Sequence, residues 1–251
     1  MALRIGFDMD GVFADMEAEL IRQSGILFGE PVTRRLDERP ASPDAVPPVP
    51  DEATAAGAAD AMPEFAPPVP RLDMTPRQQR RLWHHIATIE NFWEGLAELE
   101  PGVIRRLATL ANDRRWEIIF LTKRPRTVGA TSQIQSQRWL QSKGFTLPSV
   151  FVVQGSRGRI AASLGLDFVV DDRPENCLDV VVDSKARAIL VWRGDDQLPS
   201  AAQRLGIGVV KSVADCLDIL TQVDSSARDE PGVMSRVLRL LGLKEPAGGR
   251  R

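Results

Sequence analysis

"RIGFDMDGVFAD", Arg4 to Asp15, brings an apolar run to a stop at two acids one residue apart, Asp8 and Asp10, followed by Gly11. Residues 3–7, "LRIGF", read as a short buried β-strand. Two carboxylates at such a place are either solvated turn residues or a reactive pair. Alone, the spacing is a weak signal, and the rest of the chain decides between the two.

Downstream of residue 100 the pattern is regular. A helix with Val103, Ile104, Leu107, Leu110 and Ala111 on one face precedes the strand "WEIIFLT". A long helix is expected over about 127–143, then the strand "SVFVV", then a short helix around Ile160–Leu164. The strand "LDFVV" follows and ends in Asp171-Asp172, and two further strands, "RAILVW" and "GIGVV", lead to a last helix near 212–221. Strands alternating with helices predict βαβ units and a Rossmann-like α/β fold, a parallel sheet with helices on both faces.

Between the first strand and this regular part, composition changes. Positions 17–28 are helix-like, but Arg39 to Asp73 is packed with Pro and Ala and repeats "PPVP" at 47–50 and 67–70. Proline fixes φ and removes a donor, so an extended or mobile loop is expected there. "TPRQQRRLWHHIATI" then carries a helix start, with Thr75 as cap, Pro76 at the first position, and Leu82, Ile86 and Ile89 on one face. From about 224 a loosely attached tail is expected.

Composition narrows the function. The chain has 251 residues, with 32 Lys+Arg against 34 Asp+Glu, so no bulk charge favours a nucleic-acid polymer or a membrane surface. Two cysteines, Cys177 and Cys216, lack metal-site or disulfide-framework spacing. No apolar run approaches the ~20 residues of a spanning helix, and Asp8 and Asp10 interrupt any leader-like start. A cytoplasmic protein is expected. Its oligomeric state is open, and a homodimer is compatible with the sequence.

In an open parallel sheet, ligands bind beyond the carboxyl ends of the strands. Those ends carry Asp8-Met9-Asp10, then Thr122-Lys123-Arg124, then Asp171-Asp172-Arg173, with Arg157 and Arg159 before the fourth strand. Acids from two strand ends can share a hard cation such as Mg²⁺. A hydroxyl and basic groups can hold a phosphate, while one carboxylate attacks phosphorus and a neighbour protonates the leaving oxygen.

"DMDGV", "FLT" and "VVDDRPEN" resemble motifs I, II and IV of the haloacid dehalogenase-like (HAD) superfamily. "FDMDGVFADMEAEL", "LTKRP" and "DFVVDDRPENC" are more narrowly similar to the 5'(3')-deoxyribonucleotidases and their bacterial relatives. The resemblance implies a Mg²⁺-dependent phosphomonoesterase acting on a small phosphorylated substrate. Asp8 would be the nucleophile and Asp10 the general acid and base. Thr122 would contact the phosphoryl group, and the metal would draw on Asp8, Asp10, Asp171 and Asp172. The chain departs from the superfamily at motif III, where "SRGRIAASLGLDF" places Arg157 at the usual Lys position.

The resemblance also implies a core of residues 1–15 and 99–223 and a cap of residues 16–98 that selects substrate. Phe92 and Trp93 are candidates to stack on a base or sugar, or else hinge or core aromatics. Lys123 and Arg124 are candidate phosphate contacts, or else solvated loop residues. Two other classes compete with the phosphatase: a binding protein on a degenerate phosphatase fold, which Arg157 motivates, and a phosphomutase.

Overall fold

The computed structural model describes residues 2–29, 72–194 and 204–229. The Pro-rich stretch up to residue 71 and the tail from residue 230 lie outside the described residues. Six strands, β1 (Arg4–Asp8), β2 (Glu117–Thr122), β3 (Ser149–Val152), β4 (Phe168–Asp171), β5 (Arg187–Val191) and β6 (Gly208–Val210), form one sheet in the order β3-β2-β1-β4-β5-β6. Every neighbouring pair is parallel. The expected Rossmann-like α/β architecture is therefore the observed one.

Seven α-helices are described: α1 (Met16–Phe28), α2 (Pro76–Thr88), α3 (Val103–Arg114), α4 (Ser132–Ser142), α5 (Arg157–Leu164), α6 (Pro174–Asp183) and α7 (Val213–Asp229). The strands show why helices are needed on both sides. Ile5, Phe7, Phe120, Phe168, Val170 and Ile189 belong to one apolar cluster with Leu107, Leu217 and Leu220 of α3 and α7. The alternate residues Ile119, Leu121, Val169 and Leu190 belong to a second cluster with Ala161 of α5 and with Cys177 and Val180 of α6. A two-residue side-chain period thus feeds two cores, one per face.

Several boundaries differ from expectation. The helix expected over 127–143 begins only at Ser132, because Gly129 sits at φ +96° and Thr131 caps the first turn through Ile134 N–H. Helix α6 was not anticipated, although Pro174 occupies its first turn in the way that Pro76 does in α2. The last helix runs to Asp229, into the segment expected as tail, and Arg114 holds the buried Asp224 at 3.0 Å. The start of α2 is as expected: Thr75 and Gln78 cap each other's backbone, and Leu82 and Ile86 are buried, whereas Ile89 closes the helix.

Segment 16–98 leaves and re-enters the sheet through a two-sided stitch. Asp15 N–H donates to Ala97 at 2.9 Å, Leu99 N–H donates to Phe13 at 2.8 Å, and Ala14 bridges Glu98. Among the described residues no helix is long and apolar enough to cross a membrane.

Candidate active site

Strand order reverses between β1 and β4: the chain builds outward from β1 through β2 to β3, then returns to the other side of β1. A crevice opens at such a switch point because the connections on either side diverge. Asp8 ends β1 and Asp171 ends β4, so the acids of the two motifs meet there. After Asp8 the backbone turns at once, with Phe13 and Ala14 N–H both donating to the Met9 carbonyl.

Asp8 is buried and ion-paired with the guanidinium of Arg157, the first residue of α5. Nε of the same guanidinium lies 3.5 Å from Asp171, so Arg157 bridges β1 to β4. It occupies the place the sequence assigns to a positive charge. Its Nη1 is buried and makes no hydrogen bond among the described residues. Arg159 is exposed and takes no part.

Burial raises the Asp8 carboxyl well above its ordinary range, and repulsion from Asp171 and then Asp172 adds to that, against the pull of Arg157. Asp171 is raised by burial too, opposed by Arg157 and by hydrogen bonds. Both its oxygens accept from Asn176 at 3.0 Å, and one accepts the Arg173 N–H at 2.9 Å. Asp172 lies against Gly11, whose φ is +83°; a Cβ there would come within 2.2 Å of an Asp172 oxygen. Glycine is thus required both by conformation and by contact.

Asp10 is held differently. Thr122 donates to it at 3.1 Å, and Arg124 grips it as a fork, Nη2 at 2.7 Å and Nε at 3.0 Å. Arg124 is fully buried. Its Nη1 donates to Ser136 at 2.9 Å, and its Cζ sits 5.0 Å over the ring of Trp93 and 5.7 Å over that of Trp139.

The substrate-binding reading of three residues is corrected here, for Trp93 and Phe92 in favour of the core alternative. Arg124 is not a phosphate contact at the surface, because its donors are engaged by Asp10 and Ser136. Trp93 is fully buried, with its indole N–H donating to the Pro125 carbonyl at 3.0 Å, and cannot stack on a substrate. Phe92 is likewise buried, edge-on to Trp93 at 4.9 Å. Lys123, by contrast, is half-buried beside the site; burial, then the nearby Arg157 and Arg173, lower its pKa.

The four-acid metal set is not assembled by side chains alone. Among the described residues no three acid, His or Cys side chains gather closely enough to hold a metal ion. The Asp10 carboxylate is turned to Arg124, and that of Asp171 to Asn176 and Arg157. Asp8, itself paired with Arg157, and Asp172, which lies against Gly11, are carboxylates of the hard-oxygen type that Mg²⁺ takes. Asp171, Asp172 and Asp10 all repel the Asp8 carboxylate, against the single pull of Arg157, and a cation relieves that repulsion. The donor chemistry fits such an ion when main-chain carbonyls and water complete its shell.

Two supports of the site went unread in the sequence. Arg193, just past β5, donates to the carbonyls of Gly11 and Val12 and pairs with Glu100, which in turn caps the Val213 and Ala214 N–H groups at the start of α7. The same rule of strand ends that marks Asp8 would have found it. Asn176 lies within the quoted "DDRPEN" and orients Asp171.

No family model and no curated protein matches the chain. Among solved structures it is similar to a candidate beta-phosphoglucomutase from Thermotoga maritima, with a TM-score of 0.51, 18% identity, and 88% of this chain and 99% of that one covered. It is also similar to a phosphonoacetaldehyde hydrolase-like protein from Oleispira antarctica, with a TM-score of 0.50, 14% identity, and 91% and 95% covered. The chain shares with both the α/β fold described above, a parallel sheet with helices on its two faces. At these identities the likeness is one of fold, and it extends over nearly the whole length of both structures.

Proposed function

We propose that the protein is a phosphomonoester hydrolase that works through an aspartyl-phosphate on Asp8. The observation that supports this best is the buried Arg157, which pairs Asp8 and still carries an unpartnered Nη1 donor at the switch point. A buried donor without a partner costs free energy unless an acceptor arrives, and a phosphoryl oxygen bound at Asp8 is such an acceptor.

In this reading an Asp8 oxygen attacks phosphorus and the ester P–O bond breaks. The departing oxygen takes a proton from Asp10, which lies on the same sheet edge. Water then attacks the phosphoryl group, Asp10 takes its proton, and phosphate leaves with the Asp8 carboxylate restored. Thr122 and Arg124 hold Asp10 in place for both transfers. Lys123 adds positive charge at the rim. Mg²⁺ is the cofactor in this reading, held by Asp8 and Asp172 together with main-chain carbonyl and water oxygens, and when bound it supplies charge against the phosphoryl oxygens. Segment 16–98 is the cap in this scheme.

The substrate is a small phosphorylated metabolite, with a nucleoside monophosphate favoured by the "DMDGV", "LTKRP" and "DFVVDDRPEN" resemblance. The test is phosphate release from an aryl phosphate and from a panel of deoxynucleoside and sugar monophosphates with Mg²⁺. Turnover abolished by Asp8→Asn supports the reading. No release from any substrate at saturating Mg²⁺ refutes it and leaves a binding protein or a phosphomutase. The name of the Thermotoga maritima relative motivates a second reading, phosphoryl transfer to a sugar hydroxyl, which isomerises a sugar phosphate without releasing phosphate.

A further inference from the structure

Arg124 lies immediately after the Thr122-Lys123 pair, yet it does not face outward. Its guanidinium is closed in on every side: Asp10 takes two of its nitrogens, Ser136 takes the third, and the rings of Trp93 and Trp139 cover it. Each wall of this cage is itself fixed. Ser136 donates to the Ser132 carbonyl at 2.7 Å within α4. The Trp93 indole is tied to Pro125, and its backbone N–H donates to Gln135 at 3.1 Å. The Trp139 indole donates to the Leu96 carbonyl at 2.8 Å.

A planar fork between aromatic faces has one orientation, so the carboxylate it grips has one as well. A buried ion pair is weak evidence of net stability but a strong device for specifying geometry. Asp10 has to keep one position while it gives a proton and then takes one. Trp93 and Leu96 belong to the stretch by which segment 16–98 returns to the sheet, so the cage also ties Asp10 to that return.

We propose that Arg124 is a positioning residue for Asp10, acting through the bidentate pair and its indole cage rather than by touching substrate; this rests on the phosphatase reading above. An ammonium at this position keeps the charge and loses the fork. Arg124→Lys is therefore expected to lower kcat about 10- to 100-fold while KM changes less than about threefold. Arg124→Ala is expected to lose more, and millimolar guanidinium to restore at least about fivefold of kcat where methylammonium restores none. A raised KM with unchanged kcat makes Arg124 a substrate contact and overturns the proposal. So does a kcat loss in Arg124→Ala, folded by circular dichroism, that guanidinium does not reverse.

A measurement without turnover separates this from failure of the phosphatase reading. If the wild type releases no phosphate, that reading falls, and the pair is judged by thermal unfolding of Asp10→Asn, Arg124→Lys and the double variant. Non-additive losses, with the double variant no less stable than the weaker single, support the coupling; additive losses overturn it.

Discussion

At Asp8 one carboxyl group meets burial, three like charges (Asp171, Asp172 and Asp10) and one guanidinium at once, and the balance raises its pKa. The sign of the consequence follows. A carboxyl with a raised folded pKa loses stability as pH rises from its unfolded pKa, about 4, through its folded one. In metal-free buffer Asp8→Asn should therefore melt higher than the wild type at neutral pH, with the gap closing below about pH 4. The same substitution should cost at least about a thousandfold in turnover. Arg157 behaves in the opposite way. It is 1% exposed and bridges two buried acids, so Arg157→Ala strands both; a loss of about 3–5 kcal/mol in denaturant unfolding is expected. The acids were legible because strand-end position and chemistry coincide there. Arg124 and Trp93 were not, because a linear pattern cannot show that an arginine beside a conspicuous loop turns inward and meets a tryptophan from a distant segment.

Helices α5 and α6 show what a short element needs in order to place a side chain. Gly158 follows Arg157, and a Cβ there would come within 2.0 Å of the Asp179 carbonyl on α6. Replacing a helical glycine by alanine normally stabilises by about 0.5–1 kcal/mol. Here Gly158→Ala should destabilise and lower turnover, because α5 must shift and carry Arg157 with it; a higher melting temperature with full activity would contradict this contact. Leu147 offers the reverse case. It is exposed and sits at φ +52°, a conformation that asparagine tolerates and leucine resists. Leu147→Asn should stabilise by about 0.5–1 kcal/mol in denaturant unfolding. Element type was readable wherever periodicity was long. The start of α4 moved inward because a single positive-φ glycine outweighs helix-compatible residues on either side. Helix α6 was hidden because its first residues read as a site motif.

Among the described residues six parallel strands bring separate motifs to one edge; the alternation of strands and helices implied that the strands run parallel, but not their order. The sheet decides only which residues can meet. The repulsion of Asp8 by its neighbouring acids then predicts a response of the entire fold to a cation. Magnesium should raise the melting temperature, by about 2.7 kcal/mol of stability at a hundredfold excess over Kd, and Asp172→Asn should blunt that response without abolishing folding. An unchanged wild-type melting curve in millimolar Mg²⁺ would remove the ion from the site.

The stitch between Phe13–Asp15 and Ala97–Leu99 has a consequence for the history of such a chain. Everything between these residues is a side branch whose two roots touch. The entropy of closing a branch grows only with the logarithm of its length, about 0.6 kcal/mol per doubling. The segment can therefore be lengthened, shortened or rewritten while the carboxylates stay where they are. By contrast, one residue added to the turn after β1 would shift Asp10 relative to Asp8.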